Sequence, residues 1–404
     1  MSENISCNEI ASRLLDRCLR GQPWPREWVH SLAAEPCTSE LFRTVVEGLS
    51  DRFEPALCDA YAEVFAEALG GDASETVSRY RRIRAPRVFE GDADAVENVF
   101  VLSRVTLGAD VAVTSVVLDA AKRRFQNSRV YFVGSRKNWE LFEADPRIGH
   151  LPVPYPRGGA FRDRLAPSLR LRELLTKPAS IVIDPDSRLS QLGLVPVCED
   201  HGYFFFESRA YGSGEADTLS DLTRRWVAET FGVECASAWI APKPAAIGGS
   251  PFVAMSLGVG DNAGKRIADP FEEELVRGLV DRGMTIVIDK GAGGEETGRV
   301  ERIDAMLTGN RVQAWQGPFA PFASMISQAA LYIGYDSAGQ HVAAACGVPL
   351  VTVFAGFPSA RMFERWKPSG PGPIEVVRVE AGCAWQAVLD GALAAVDRLR
   401  QANG

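Results

Sequence analysis

The sequence predicts an α/β protein built from two facing, doubly wound parallel-sheet domains, with a small all-helical domain in front of them. Three observations carry that prediction. Residues 1–90 place apolar side chains at three- and four-residue steps and show almost no strand pattern. From about residue 97, short apolar runs alternate with helix-period stretches, as in the crossovers of a parallel sheet. The alternation forms two series on either side of a proline-rich stretch, APKPAAIGGSP, at 241–251. Domains are therefore expected at 1–90, 97–245 and 250–380, with a closing helix at 383–402.

The helical segment contains NEIASRLLDRCLR, SELFRTVVEGL and PALCDAYAEVFAEAL, punctuated by Pro23, Pro25, Pro36 and Pro55 and closed by Gly70 and Gly71. It shows no catalytic constellation, and both a structural role and a role in interaction or oligomer formation fit it. In the first sheet series NVFVLSRV, SRVYFVG, ASIVID and GYFFFES read as strands, and SVVLDAAKRRF reads as a helix. The second series runs strand PFVAMSLG, helix DPFEEELVRGLVDRG, strand MTIVID and a helix near GRVERIDAML. It continues with strand VQAWQ, helix FASMISQA and strand LYIGY. AWQAVLDGALAAVDRLRQ is the closing helix.

At 404 residues the chain is too long for one ordinary core. Hydrophobic residues at 46% and charged residues at 24% are the composition of a soluble globular protein. A net charge of −8 argues against general nucleic-acid binding but leaves room for a local basic patch. No stretch has the roughly 18 uninterrupted apolar residues of a membrane span. The start lacks a basic region followed by an apolar one, so a cytoplasmic location is expected, with at most peripheral membrane contact. Eight cysteines, at 7, 18, 37, 58, 198, 235, 346 and 383, form no C-x-x-C pair and have no histidines at ligand spacing. Free thiols in a reducing compartment are expected, without a metal or other cofactor.

In open α/β sheets, ligands bind beyond the carboxyl ends of strands, near helix amino termini. Four joints fit that geometry. In LYIGYDSAGQHVAAACGVP (331–349), Asp336 or Ser337 can cap a helix, and Gly339 bares backbone N–H groups suited to a phosphate. His341 lies in the first turn, where the helix dipole favours the neutral imidazole; the plain alternative is a capped helix with a packed histidine. In LSRVTLGADVAVTSVVLDAAKRRF (102–125), Asp110 ends a strand and is either a general base facing a cleft or a helix cap. SLGVGDNAGKRIADPFEEE (256–274) offers Lys265 and Arg266 to a diphosphate leaving group, or to solvent. DKGAGGEETGRVERI (289–303) offers Glu295 and Glu296 to ribose hydroxyls, or simply a charged helix start.

In this order the four joints resemble the heptosyltransferases of glycosyltransferase family 9, bacterial enzymes with the two-Rossmann-domain GT-B fold. The resemblance covers roughly 97–395. DSAGQHVAAACGVPLVTVF is similar to the family block D-[ST]-G-x-x-H-x-A-A-x-x-G-x-P, GADVAVTSVVLDAAKRRF to G-D-x-x-x-T, and GKRIADPF to K-R-W-x-x-x-F. It departs from the family at Ala109, Val116, Ile267 and Ala338, where a glycine, a proline, a tryptophan and a glycine are usual. The resemblance implies an inverting, metal-independent transfer from a nucleotide sugar, with ADP-heptose as a candidate donor. Asp110 would be the base and Lys265 the diphosphate lysine. Donor contacts would come from Lys265, Arg266, Glu295, Glu296, Asp336, Ser337, Ala338, Gly339 and His341, and Thr114 would stand at the family threonine.

The acceptor is left open among glycolipid, protein and small molecule. Asp184, Asp186 and Arg188, which follow a strand of the first series, are candidate acceptor contacts with Thr114. Arg157, Arg162, Arg164, Arg170, Arg172 and Lys177 form a basic stretch that suits a phosphorylated glycolipid, an anionic membrane surface or plain solvent. Two other readings compete: a silent sugar-nucleotide-binding or assembly protein, and another GT-B enzyme such as a sugar-nucleotide epimerase or hydrolase.

Overall fold

The computed structural model describes residues 6–212, 216–245, 251–260, 262–291, 293–306 and 311–402. Two wholly parallel sheets form its centre. The first contains β1 (Asn98–Leu102), β2 (Arg129–Gly134), β3 (Ile148–Pro152), β4 (Ser180–Asp184) and β5 (Tyr203–Phe205), in the order β3-β2-β1-β4-β5. The second contains β6 (Val253–Ser256), β7 (Ile286–Asp289), β8 (Val312–Trp315), β9 (Leu331–Tyr335), β10 (Leu350–Phe354) and β11 (Ile374–Arg378). Their order is β11-β10-β9-β6-β7-β8. Both orders reverse direction from an internal strand, which leaves a crevice at the carboxyl ends of β1 and β4 and of β6 and β9.

Alternation along the strands assigns the layers. On β1, Val99 and Val101 face the helices Ser115–Arg124 and Leu219–Phe231, while Phe100 and Leu102 face the other way. That second face is covered by the helix Phe161–Leu175 and by the amino-terminal helices. Leu14, Val29, Phe42, Tyr61 and Phe65 belong to the same buried cluster as Phe100, Leu102, Val182 and Phe205. The amino-terminal segment therefore shares its core with the first sheet and closes one of its two faces. Within it, the structure joins Cys7 to Cys37 in a disulfide, with Cα atoms 5.2 Å apart. This corrects the expectation of free thiols at those two positions, because the first turn of Cys7–Leu19 packs beside the Thr38–Glu40 helix. Cys18, Cys58 and Cys198 are buried free thiols.

The closing helix Trp385–Ala402 packs on the second sheet through Val388, Ala392, Val396 and Leu399. Arg282 donates to both oxygens of Asp397 at 2.9 Å, which fixes this helix to Phe271–Asp281. Of the linker at 241–251, residues 246–250 lie outside the described residues. Before them, Ala241 pairs with Leu141 and the Ala245 N–H donates to Ser324 Oγ at 3.0 Å, tying the strand-to-strand connection to both domains. One apolar cluster runs through both sheet domains, from Val113 and Val116 to Phe322 and Val342. The expected cleft is thus a closed seam along part of its length.

Candidate functional site

The donor-side joint is built on β9. Asp336 follows that strand and is 6% exposed; its Oδ2 accepts from Lys265 Nζ at 2.6 Å and its Oδ1 from Gln340 Nε2 at 2.6 Å. Gln340 is held in turn by Thr352, whose hydroxyl donates to Gln340 Oε1 at 2.7 Å. Lys265 also donates to the Asp336 carbonyl, so its ammonium is fixed at the mouth of the helix Ala338–Ala345. Ser337 is the cap residue of that helix but makes no side-chain cap bond. Its hydroxyl and that of Tyr332 are both buried and lie against each other. They sit beside a fixed cation and a helix amino terminus.

Gly339 proves to have a packing reason. A Cβ at 339 would lie 2.2 Å from the Tyr332 hydroxyl, so glycine makes room for the tyrosine of the strand beneath. This packing reason stands beside the expected one, since the first-turn backbone N–H groups receive no side-chain cap bond. Gly339→Ala is expected to cost about 1–3 kcal/mol through overpacking. Thermal melts of Gly339→Ala with and without Tyr332→Phe check it, because removing the hydroxyl restores part of the loss.

His341 is 5% exposed and packs against Trp366, with ring centroids 5.8 Å apart. Burial lowers its pKa to about 4, and Lys265 pushes in the same direction, so the imidazole is neutral at ordinary pH. The neutrality matches the sequence reading, but burial is its leading cause. Arg266 is engaged by Glu272 at 3.1 Å and by Asp269, so its charge is already spent within the domain, contrary to the expected diphosphate role.

Glu295 is exposed, whereas Glu296 turns inward between the Gly258 and Gly291 backbones. Burial, reinforced by Asp289, raises the Glu296 pKa from the usual 4.5 to about 7. Between those values the folded chain holds a proton that the unfolded chain has lost, so this group lowers stability as pH rises through the window. Glu296→Gln removes that contribution. The melting temperature of Glu296→Gln minus that of the unaltered protein should therefore rise by about 1–2 °C from pH 4.5 to pH 8.

The acceptor-side residues fall elsewhere than expected. Asp110 is fully buried and receives four hydrogen bonds: from Ser103 Oγ at 2.7 Å, Arg104 N at 2.7 Å, Thr114 Oγ1 at 2.6 Å and Asn138 Nδ2 at 2.5 Å. Burial pushes its pKa up while these donors pull it down. The carboxylate expected to face a cleft is thus fully buried, with every lone-pair direction occupied, and anchors the β1 loop. Thr114, fully buried and donating to Asp110, is part of the same anchor. Asp110–Thr114 itself forms a π-helical turn.

Asp184 and Asp186 are corrected likewise. Asp184 is fully buried and accepts from Ser187 N at 2.7 Å, Tyr203 OH at 2.6 Å and Ser190 Oγ. Asp186 is 2% exposed and pairs with the equally buried Arg209 at 3.0 Å. Of the four candidate acceptor residues, Arg188 alone keeps an accessible side chain, and it points toward Asp51. The basic stretch is also divided. Arg164 is buried over the Phe42 ring, 3.4 Å from its centroid, and Arg172 pairs with Glu199.

The two sheet domains and the amino-terminal helices meet at one place. A Cβ on Gly108 would come within 3.2 Å of His341 Cδ2 and 3.3 Å of Ala338 Cα, so the β1 loop lies directly on the donor-side helix end. Trp366 collects Arg104 (5.9 Å), His341 (5.8 Å) and Phe53 (6.1 Å) around its ring. Phe53, Val105 and Asp186 all have left-handed backbones, with φ of 58°, 63° and 69°. Non-glycine residues in that region carry strain of the kind that collects at functional sites. Beside the junction is a cavity of about 370 Å³ lined by Thr106, Ser135, Lys137, Asn138, Tyr155 and Arg157, among others. Sequence patterns pointed to none of Asp51, Phe53 or Trp366, which belong to no motif. Arg104 stood inside a stretch already singled out for Asp110.

Two facing doubly wound domains with a junction at their strand ends are the architecture of the GT-B fold. Residues 265–375, in the second sheet domain, match the model for glycosyltransferase family 9 (heptosyltransferase). The chain superposes on the glycosyl transferase family 9 protein of Veillonella parvula DSM 2008 with a TM-score of 0.55 at 15% identity. The overlap covers 76% of this chain and 99% of that one. It superposes on E. coli heptosyltransferase WaaC with ADP-2-deoxy-2-fluoro heptose at a TM-score of 0.54 and 18% identity, covering 76% and 100%. For E. coli ADP-heptose lps heptosyltransferase II the values are 0.51, 16%, 76% and 100%. About a quarter of this chain has no counterpart in these structures, an amount similar to the segment before β1. No curated protein matches the sequence.

Proposed function

We propose that the protein transfers a hexose or heptose from a nucleotide sugar to an acceptor hydroxyl, with inversion and without a metal. The observation that carries this reading is the cluster at the start of Ala338–Ala345. Lys265 is fixed there, and the cap residue Ser337 leaves the first-turn N–H groups without a side-chain cap bond. A diphosphate supplies the acceptor atoms such a cluster lacks and is stabilised by it as it departs. Glu296, lying over the Gly258 and Gly291 backbones, is placed to meet ribose hydroxyls. The likeness to an enzyme solved with an ADP-heptose analogue makes ADP-heptose the first donor to try and a lipopolysaccharide-type glycolipid one acceptor class.

Among the described residues no helix is long and apolar enough to cross a membrane, and none of their His, Cys, Asp and Glu groups could hold a metal. A cytoplasmic site of action is part of the proposal, and the Cys7–Cys37 bridge weighs against it. A silent binding protein is favoured by one specific observation: the carboxylate at the family base position is buried and saturated. A thermal-shift screen of ADP-heptose, ADP-glucose, UDP-glucose and GDP-mannose tests the donor site. At least one is expected to raise the melting temperature; if none does, the reading fails.

A further inference from the structure

The helix Ala360–Trp366 of the donor-side domain lies on the seam and is held from two sides. Arg361 donates to the Gly212 carbonyl at 3.3 Å and Arg365 to the Asp217 carbonyl at 2.6 Å, both in the acceptor-side domain. The amino-terminal segment supplies the other hold. Ser359, the cap residue of the helix, donates through Oγ to the Arg52 carbonyl at 3.3 Å. One residue on, Phe53 is 3% exposed and sets its ring edge-on to Trp366, with centroids 6.1 Å apart. Its left-handed backbone, with φ of 58°, is costly for a phenylalanine, so these contacts are what keep the ring in place.

Trp366 leads from this loop to the lysine of the donor site by an unbroken set of contacts. Its carbonyl accepts from Gln340 Nε2 at 3.3 Å, and its ring packs on His341 at 5.8 Å. The same Gln340 nitrogen donates to Asp336 Oδ1 at 2.6 Å, and Asp336 Oδ2 accepts from Lys265 Nζ at 2.6 Å. Gln340 can serve Asp336 only while its amide plane is fixed. Thr352 fixes one end through Gln340 Oε1, and the Trp366 carbonyl fixes the other. Deleting the Phe53 ring leaves a void beside Trp366, into which the indole and its helix end can shift.

We propose, resting on the nucleotide-sugar reading above, that Phe53 is a positioning residue for the donor site. It holds Trp366, and through Gln340 and Asp336 the Lys265 ammonium, where a departing diphosphate needs it. The amino-terminal helices then act on the donor site without touching the donor, besides closing one face of the first sheet.

Two readouts test this, one of them without a ligand. Acylation by acetic anhydride is followed at each lysine by mass spectrometry. Lys122 is the control, because it is as exposed as Lys265 and equally paired, with Asp145 at 2.6 Å. Phe53→Ala should speed labelling at Lys265 by about threefold or more and leave Lys122 unchanged, whereas general loosening would quicken both. ADP, UDP and GDP are then titrated by calorimetry. Phe53→Ala should weaken the nucleotide that binds by about tenfold, and by less than about twofold when Lys265 is already alanine, since the effect runs through the lysine. Phe53→Leu keeps most of the volume without the ring; it should fall between, and it replaces the alanine variant if that one does not fold. Unchanged labelling at Lys265, or the same loss of affinity with and without Lys265, overturns the proposal while nucleotide binding stands. Binding of none of the three by the unaltered protein removes the nucleotide-sugar reading itself, and the proposal with it.

Discussion

Alanine at Lys265 is expected to lower kcat/KM for sugar transfer by about 10²–10³, the usual cost of removing a charge aimed at a departing oxyanion. Two effects act together. The ammonium that would meet the diphosphate is lost, and Asp336, which now neutralises it at 2.6 Å, is left as a bare carboxylate at the same helix end. That negative charge opposes a diphosphate directly. Arginine at 265 keeps the charge but holds it in a planar fork, so it should restore part of the rate and not all of it. Steady-state kinetics with the bound donor, alongside melting curves for each variant, separates lost catalysis from lost folding. Equal kcat/KM in the alanine variant would remove Lys265 from the donor site.

Asp110→Ala should cost about 3–5 kcal/mol of stability. The Ser103 and Thr114 hydroxyls can rotate to find other partners, but the Arg104 N–H and the Asn138 amide remain buried and unmet. Asp110→Asn should cost less, since the amide oxygen still accepts two of the four bonds. Chemical denaturation with matched donor-binding measurements checks this. The expected pattern is a lower unfolding midpoint; an unchanged midpoint would contradict the anchoring role.

The contrast between Lys265 and Asp110 shows where sequence reasoning reached. Strands buried on both faces announce themselves as continuous apolar runs, so β1, β4, β6, β9 and β10 were legible. The edge strands β3 and β11 were not, because IGHLP and IEVVR are only partly buried and read as loop. Lys265, Asp336 and His341 come together as expected because each lies beside a strand end whose place in the sheet follows from topology. Asp110 does not, because its carboxylate is taken up by Ser103, Arg104, Thr114 and Asn138, and motif spacing does not reveal those partners. Phe53 was invisible for a different reason. Its position depends on how the amino-terminal helices pack on the far face of the first sheet, and no local spacing encodes that.

Phosphorus NMR of the protein mixed with its stabilising nucleotide sugar and an acceptor extract tests the central claim most directly. Free nucleoside diphosphate should appear with the unaltered protein and fall by at least tenfold with Lys265→Ala. A nucleotide sugar that binds and stays intact with every acceptor fraction would contradict the account and leave a binding protein on a GT-B scaffold.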